Sequence, residues 1–309
     1  MAKVAVVGVG FIGRAWAIVF ARGGLDVALW DPAAGAVDAA TAFIADRLPE
    51  LEQAGLLPDA VRAVRDRIRP AATLEEALRD AVHVQENGPE RVGDKTALFA
   101  ELDRLAAPET VLASSTSGIP ASAFTEALPG RHRCLVAHPV NPPYLVPVVE
   151  LCPSPWTDPA VVERTRALMT NAGQVPATVN REIAGFVLNR LQIALVAEAF
   201  RLVQDGIVSP EDLDATVKHG LGLRWAFMGP FETIDLNAPG GLRDYCARYG
   251  ALYEEVQAQM QPCRFTPDLV DRLDAASRSA LPLDRHGERQ AWRDRRLMAL
   301  AAHKAGQTE

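Results

Sequence analysis

Apolar residues along the first 180 positions fall into short β-branched runs separated by longer stretches of helical spacing. Residues 4–7 are Val-Ala-Val-Val, an unbroken apolar run of the kind that is buried on both faces of a parallel sheet. Residues 15–22 have helical character, and 26–30 return to strand. Further strand runs are 82–85, 110–113, 134–137 and 148–151, with helical patterns at 34–54, 74–80, 92–105 and 159–171. Strand and helix in regular turn predict an α/β fold, a doubly wound parallel sheet with helices on both faces.

The pattern changes near residue 182. Phe186, Val187, Leu188, Leu191, Ile193, Leu195, Val196, Phe200, Leu202 and Val203 make 182–203 apolar on nearly every side. Such a helix is covered all round, either inside a helical domain or by a second subunit. Ser209-Pro210-Glu211-Asp212 is a helix start, with a Ser cap, Pro in the first turn and an acid three residues on. The rest has helical periodicity and no strand run. The expected organisation is therefore a Rossmann-type domain over 1–183 and an all-α domain over 184–309, with the break near 181–185. The Arg-rich amphipathic tail, 285–304, is expected to be a docked helix.

Composition narrows the classes. Of 309 residues 49% are apolar and 23% charged, ordinary values for a globular chain, which exclude a disordered or fibrous one. Acidic residues outnumber basic ones, 39 to 32, for a net charge of −7. A surface of that sign repels a phosphate backbone, so no nucleic-acid partner is expected. No apolar run approaches the ~18–20 residues of a membrane span. Cys134, Cys152, Cys246 and Cys263 are widely spaced, without a Cys-x-x-Cys pair or zinc spacing, so no metal is expected. The start of the chain has no signal-peptide layout, and a cytoplasmic protein is expected.

Gly8-Val9-Gly10-Phe11-Ile12-Gly13 follows the first strand and opens the first helix, the setting in which Gly-x-Gly-x-x-Gly binds a dinucleotide. Gly8 permits the tight turn, Gly10 removes a Cβ where a diphosphate approaches, and Gly13 allows close helix–sheet packing. The helix N-terminus offers free N–H groups to the phosphate. Asp31 closes the second strand; an acid there accepts bonds from the ribose hydroxyls and repels a 2′-phosphate. Pro32 after it supplies no cation, so the cofactor expected is NAD rather than NADP.

Three further segments carry chemistry: Ser114-Ser115-Thr116-Ser117-Gly118, His138-Pro139-Val140-Asn141-Pro142-Pro143, and Val149-Glu150-Leu151. The first two follow strands, at the ends where α/β sheets bind ligands. His138 is expected in a rigid, proline-bounded loop. Together with the glycine turn, Pro89-Glu90 and Gly185-Phe186-Val187-Leu188-Asn189-Arg190, these segments resemble the L-3-hydroxyacyl-CoA dehydrogenase family over nearly the whole chain. Within it, His138–Tyr144, 206–214 and Gly229-Pro230-Phe231-Glu232-Thr233 look most like the λ-crystallin branch, whose members include L-gulonate 3-dehydrogenase.

The resemblance implies His138 as the general acid/base and Glu150 as its carboxylate partner. Ser117 and Asn189 would bind the reacting oxygen, with Asn141 a further substrate contact. Phe11, Ile12, Asp31, Glu90 and Lys95 would line the NAD site. The residue types suit the reaction. A neutral imidazole takes the alcohol proton, and a carboxylate on its other nitrogen fixes the tautomer.

The chain departs from the acyl-CoA enzymes in two places. Residues 32–55, where those enzymes use lysine to hold CoA, contain no lysine, Arg47 as the only cation, and Asp38, Asp46, Glu50 and Glu52. The Gly-x-Gly-Phe-Tyr close of many acyl-CoA enzymes is replaced by Trp292-Arg293-Asp294-Arg295-Arg296. Both differences point to a small free 3-hydroxy acid, L-gulonate first. A 3-hydroxyacyl-CoA, carnitine or another hydroxy acid are the alternatives. Arg224, among glycines and aromatics, is expected to grip the substrate carboxylate or to serve structure through Trp225 or Glu232. The apolar helix and the resemblance imply a homodimer. A crystallin-like structural protein that binds NAD without turnover is the alternative of another class. The retained Ser117, His138, Glu150 and Asn189 argue against it.

Overall fold

The computed structural model describes residues 2–307. Strand β1 (Lys3–Val7) sends Val4 and Val6 to one core and Ala5 and Val7 to another, because successive side chains leave a strand on opposite faces. Both cores are covered by helices, and this explains why the run is apolar throughout. The remaining strands are β2 (Asp26–Trp30), β3 (Ile68–Pro70), β4 (Ala81–Glu86), β5 (Val111–Ser114), β6 (Cys134–Pro139), β7 (Val148–Pro153) and β8 (Val175–Thr178). They form one sheet in the order β3-β2-β1-β4-β5-β6-β7-β8. Pairing is parallel from β3 across to β6, antiparallel between β6 and β7, and parallel again between β7 and β8. The direction of winding reverses between β1 and β4, and ligands bind at such a reversal.

Helices α1 (Phe11–Arg22), α2 (Ala36–Gln53), α3 (Val61–Asp66), α4 (Leu74–Leu78), α5 (Val92–Leu105), α6 (Ser122–Thr125) and α7 (Pro159–Asn171) accompany the sheet. Trp16, Ile18 and Phe20 of α1 and Leu48 and Leu51 of α2 join Val4 and Val6 in one core. Phe99 and Leu102 of α5 and Leu78 of α4 join Ala5 and Val7 in the other. The later helices are α8 (Leu188–Gln204), α9 (Pro210–Thr216), α10 (Gly222–Trp225), α11 (Pro230–Asp235), α12 (Gly241–Gln259), α13 (Pro267–Ala280) and α14 (His286–Ala305). Ser209 caps α9 as its sequence predicts, accepting from the Asp212 N–H at 3.0 Å.

Several expectations change. β3 and β8 are additional strands; both are short, carry a proline and contribute little to an apolar pattern. The strand at β7 runs against its neighbour, which alternation alone does not reveal. By internal contacts the chain forms two units, Met1–Arg190 with Arg289–Glu309, and Leu191–Glu288. The second expected domain thus loses its tail to the first unit. There Met298 joins the α1–α2 core and Asp294 accepts from the Tyr144 hydroxyl at 3.3 Å.

The largest change concerns α8. No residue of that helix is buried; Leu191 is 63% and Ile193 58% exposed. Within Leu191–Glu288 the buried residues are Thr233, Ala238 and Leu269. Apolar spacing predicted cover on every side, and of the two readings, enclosure by this chain's own helices is not what the structure shows.

Candidate functional site

The glycine turn sits at the C-terminal end of β1. Gly8 has φ +83°, and a Cβ there would lie 2.9 Å from the Asn87 backbone. At Gly13 a Cβ would come within 1.9 Å of the Gly8 carbonyl oxygen. At Gly10 it would meet nothing within 4 Å. Two glycines are thus required by the protein's own backbone, and the middle one opens a clear approach to the N-terminus of α1. That arrangement fits a dinucleotide diphosphate. Asp31, at the end of β2, accepts from the Val9 N–H at 2.8 Å through Oδ2 and from the Ala33 N–H at 2.8 Å through Oδ1. Phe11 is 69% exposed at the mouth of the turn, with Ile12 half-buried beside it.

Two polar networks tie this turn to the neighbouring strand ends. Lys95 lies buried in α5, and its ammonium meets both Glu86 oxygens, at 3.1 and 3.0 Å, and Ser114 Oγ at 3.4 Å. Glu86 also accepts from the Gly88 N–H and the Ser114 hydroxyl, each at 2.5 Å. Lys95 was expected to line the cofactor site; here its ammonium is spent on fixing the loop that carries Glu90, whose carboxylate it approaches to 3.9 Å. Glu90 Oε1 in turn accepts from the Thr116 hydroxyl at 2.6 Å, the Ser117 N–H at 2.9 Å and the Gly118 N–H at 3.1 Å. The second network centres on Ser115. Its hydroxyl accepts from Trp16 Nε1 at 3.0 Å and Gln85 Nε2 at 2.7 Å and donates to Asn87 Oδ1 at 2.7 Å.

His138 lies on β6 rather than in the loop after it, directly opposite Glu150 on β7. Directly opposed residues on an antiparallel pair present neighbouring side chains on one face. Nδ1 donates to Glu150 Oε2 at 2.8 Å, and both residues are 4% exposed. The same carboxylate accepts, through Oε1, from the N–H groups of Val187 at 2.8 Å and Leu188 at 2.9 Å, where α8 begins. Burial works to raise the Glu150 carboxyl, but the bonds from His138 and the two amides outweigh it and hold it below the usual carboxylate range. Nε2 remains as the basic ring nitrogen, because Nδ1 carries the hydrogen. At the second residue of α8, Asn189 Nδ2 donates to the Ser117 carbonyl at 2.6 Å. These two expected oxygen-binding residues therefore meet, through the backbone of one.

Asn141 is exposed in the turn after β6. Arg224 lies exposed in α10, in the second unit, and neither the Trp225 stacking nor the Glu232 pairing is formed. Among the described residues no cluster of three or more His, Cys, Asp or Glu could hold a metal. No helix of the described chain is long and apolar enough to cross a membrane. Sequence reasoning missed Phe186, whose ring lies 5.5 Å from that of His138, and the clasp that Glu90 makes on residues 116–118. Phe186 stood inside a recognised motif, but no periodicity gives a loop aromatic a target.

With this geometry in view, the comparisons with known proteins are specific. Residues 3–183 match the NAD-binding domain of 3-hydroxyacyl-CoA dehydrogenase, and 185–280 match its C-terminal domain. The λ-crystallin homolog of Bos taurus is 45% identical over 306 residues, covering 97% of this chain and 95% of that protein. The L-carnitine dehydrogenase of Pseudomonas putida is 36% identical, covering 96% and 92%. Among solved structures, FHMPC 5-dehydrogenase, an NAD+-dependent dismutase, superposes over 100% of both chains with a TM-score of 0.87 at 28% identity. The chain belongs to the 3-hydroxyacyl-CoA dehydrogenase family and is an NAD-dependent dehydrogenase acting on a hydroxyl group.

Proposed function

We propose that the protein oxidises the hydroxyl of a small free 3-hydroxy acid, L-gulonate to 3-dehydro-L-gulonate first among them. The carrying observation is the state of α2. Its one cation, Arg47, is ion-paired with Glu50 and stacked 5.3 Å over the Phe43 ring, with 14% of its side chain exposed. A segment whose only guanidinium is already engaged, and whose other charges are acidic, makes a weak clamp for the phosphates of CoA. Among the relatives, an enzyme of L-carnitine, itself a free 3-hydroxy acid, shares 36% of its sequence with this chain, which supports the same class.

In this reading His138 Nε2 takes the proton of the substrate hydroxyl. Glu150 keeps the hydrogen on Nδ1 and stabilises the imidazolium that forms. The Ser117 hydroxyl and the second N–H of the Asn189 amide orient the reacting oxygen. Phe11, Ile12, Gly8, Gly10, Gly13 and Asp31 hold NAD, and Glu90 fixes the Ser117 turn beside it. When bound, NAD supplies the hydride acceptor.

The protein works as a homodimer formed through the second unit. Beside α8's exposed face, Leu195, Phe200, Val203, Leu213, Val217 and Leu273 line a hollow of about 410 Å³ in that unit. An obligate interface of this kind buries more than ~2,000 Å². A cytoplasmic setting suits four unpaired cysteines.

The decisive experiment is NAD reduction followed across L-gulonate, 3-hydroxybutyrate, L-carnitine and 3-hydroxybutyryl-CoA. A free acid, L-gulonate first, should exceed the CoA ester at least ~10-fold in kcat/KM. A CoA ester that is the best substrate overturns the reading.

A further inference from the structure

Among the described residues two non-glycines have positive φ, and one of them, Phe186 at φ 50°, touches the acid/base pair. Left-handed backbone is unfavourable for a bulky aromatic, and it persists only where surrounding contacts hold it. Here they do so on every side. Gly185, at φ 75°, precedes Phe186, and the two left-handed residues turn the chain sharply into α8. The Phe186 ring is 0% exposed, and its N–H donates to the Ile183 carbonyl at 3.1 Å. The two amides that follow, Val187 and Leu188, then point together at Glu150 Oε1.

A tight turn alone does not explain a phenylalanine at this position. Glycine, or asparagine, takes such a φ more readily. What phenylalanine adds is the ring, laid against the imidazole at 5.5 Å with 47° between planes. The same left-handed backbone that aims the ring at His138 also delivers the amides to its carboxylate partner. The two ends of the dyad are thus held by one residue.

We propose that Phe186 is a positioning residue for catalysis: its left-handed backbone keeps Glu150 in place through the amides beyond it, and its ring keeps the His138 imidazole turned toward the substrate and shielded from water. This rests on the reading of His138 as the base. Glu150 is the ionisable group in contact with the imidazole. Behind it, Cys152 is pushed up to about 12 by burial and by the charges of Glu182 and Glu150, so it stays neutral at working pH. Glu90 is held against the Ser117 turn by the amides from which it accepts. Loss of the ring admits water to the imidazole and frees it to turn away from the substrate.

The test uses Phe186→Asn, which suits the left-handed backbone but has no ring, Phe186→Leu, which keeps apolar bulk, and Phe186→Tyr, which keeps the ring. His138→Gln is run alongside. Kinetics with the best free acid are compared with NAD affinity by calorimetry and with thermal unfolding. Phe186→Asn should lower kcat ~10-fold or more and leave NAD affinity within twofold. Phe186→Tyr should restore most of kcat. If Phe186→Asn does not fold, Phe186→Leu decides by the same readouts, with a smaller fall expected. A folded variant without the ring that keeps wild-type kcat overturns the proposal. So does one that loses NAD affinity and kcat in equal measure, since that marks a merely structural residue. An active His138→Gln overturns the reading of the base instead, so the two failures are distinct.

Discussion

The two units differ in how they treat apolar and charged groups. In the first, Trp16, Phe20, Phe99 and Leu102 are 0% exposed. Its buried charges are partnered: Lys95 with Glu86, Arg133 with Asp103, and Glu150 with the His138 ring N–H and two backbone amides. In the second, Phe231 is 77%, Phe227 59% and Phe265 56% exposed, and α8 presents Leu191 and Ile193 outward. A region with so little core of its own leaves apolar surface in contact with water. The glycine turn, Asp31, Ser117, His138, Glu150 and Asn189 all fall in the unit that folds on its own core. Chemistry that needs fixed distances is thereby kept apart from the exposed apolar residues of the second unit.

The largest expected effect sharpens that division. His138→Gln keeps a polar side chain of similar reach but cannot carry the proton. A fall of ~10²–10⁴ in kcat is expected, with assembly and NAD affinity unchanged. If the variant retains half its activity, the chemistry does not run through this dyad.

Next comes the surface of the second unit. Leu191→Glu places a charge on the exposed face of α8. In a buried dimer interface an unpaired carboxylate costs about 3–5 kcal/mol, enough to weaken association by ~10² or more. Light scattering at micromolar concentration should give a dimer for the wild type and a monomer for the variant, with NAD affinity kept. A monomeric wild type would break the comparison, because the exposed face would then have no partner copy.

How far the sequence foretold these two regions differs for the same reason. Alternating strand and helix runs announced the sheet, and the glycine turn announced the cofactor end, because both depend on near neighbours in sequence. The pairing of His138 with Glu150 was reachable only through resemblance; β7 reverses direction, and nothing in the Val-Val-Glu-Leu run says so. That Lys95 would bury itself on Glu86 depends on one turn between β4 and α5. The left-handed Phe186 has its ring against His138, 48 residues earlier in the chain, which no local pattern reveals. For α8, apolar spacing gave the need for cover and could not say whose surface supplies it.

A third effect concerns acid. Burial pushes the His83 imidazole down from its ordinary 6.5 to about 4, against a weaker opposing bond to Gln85 Oε1 at 3.0 Å. Between those two pH values the unfolded chain binds a proton that the folded one refuses, so stability falls as pH drops from ~6.5 and levels off below ~4. The full loss is about 3 kcal/mol. Urea unfolding at pH 7, 5.5 and 4.5 should show this slope in the wild type and a flatter one in His83→Phe. The second unit has no buried ionisable group among its described residues, and Leu191→Glu should leave the slope unchanged. A wild-type slope unaffected by the His83 substitution would place the acid sensitivity elsewhere.

The smallest effect concerns cofactor choice. Asp31 is held from two directions, by the Val9 amide inside the glycine turn and the Ala33 amide after Pro32, each at 2.8 Å. Those bonds fix the carboxylate without exhausting its lone pairs, so it presents acceptors to a ribose diol at the end of β2. A 2′-phosphate in that position meets a negative charge that cannot swing away. Pro32, Ala33 and Ala34, next in the chain, carry no cation to offset it. At least tenfold higher kcat/KM with NAD than with NADP is expected, about 1.4 kcal/mol. Asp31→Ser should narrow the ratio, chiefly by improving NADP. Every group in this argument lies in the first unit, so the ratio should be the same in a Leu191→Glu monomer as in the wild type. Equal efficiency with both cofactors would remove Asp31 as the selector. A ratio that changes on dissociation would show that the second unit reaches into cofactor choice, and the separation of chemistry from assembly would no longer hold.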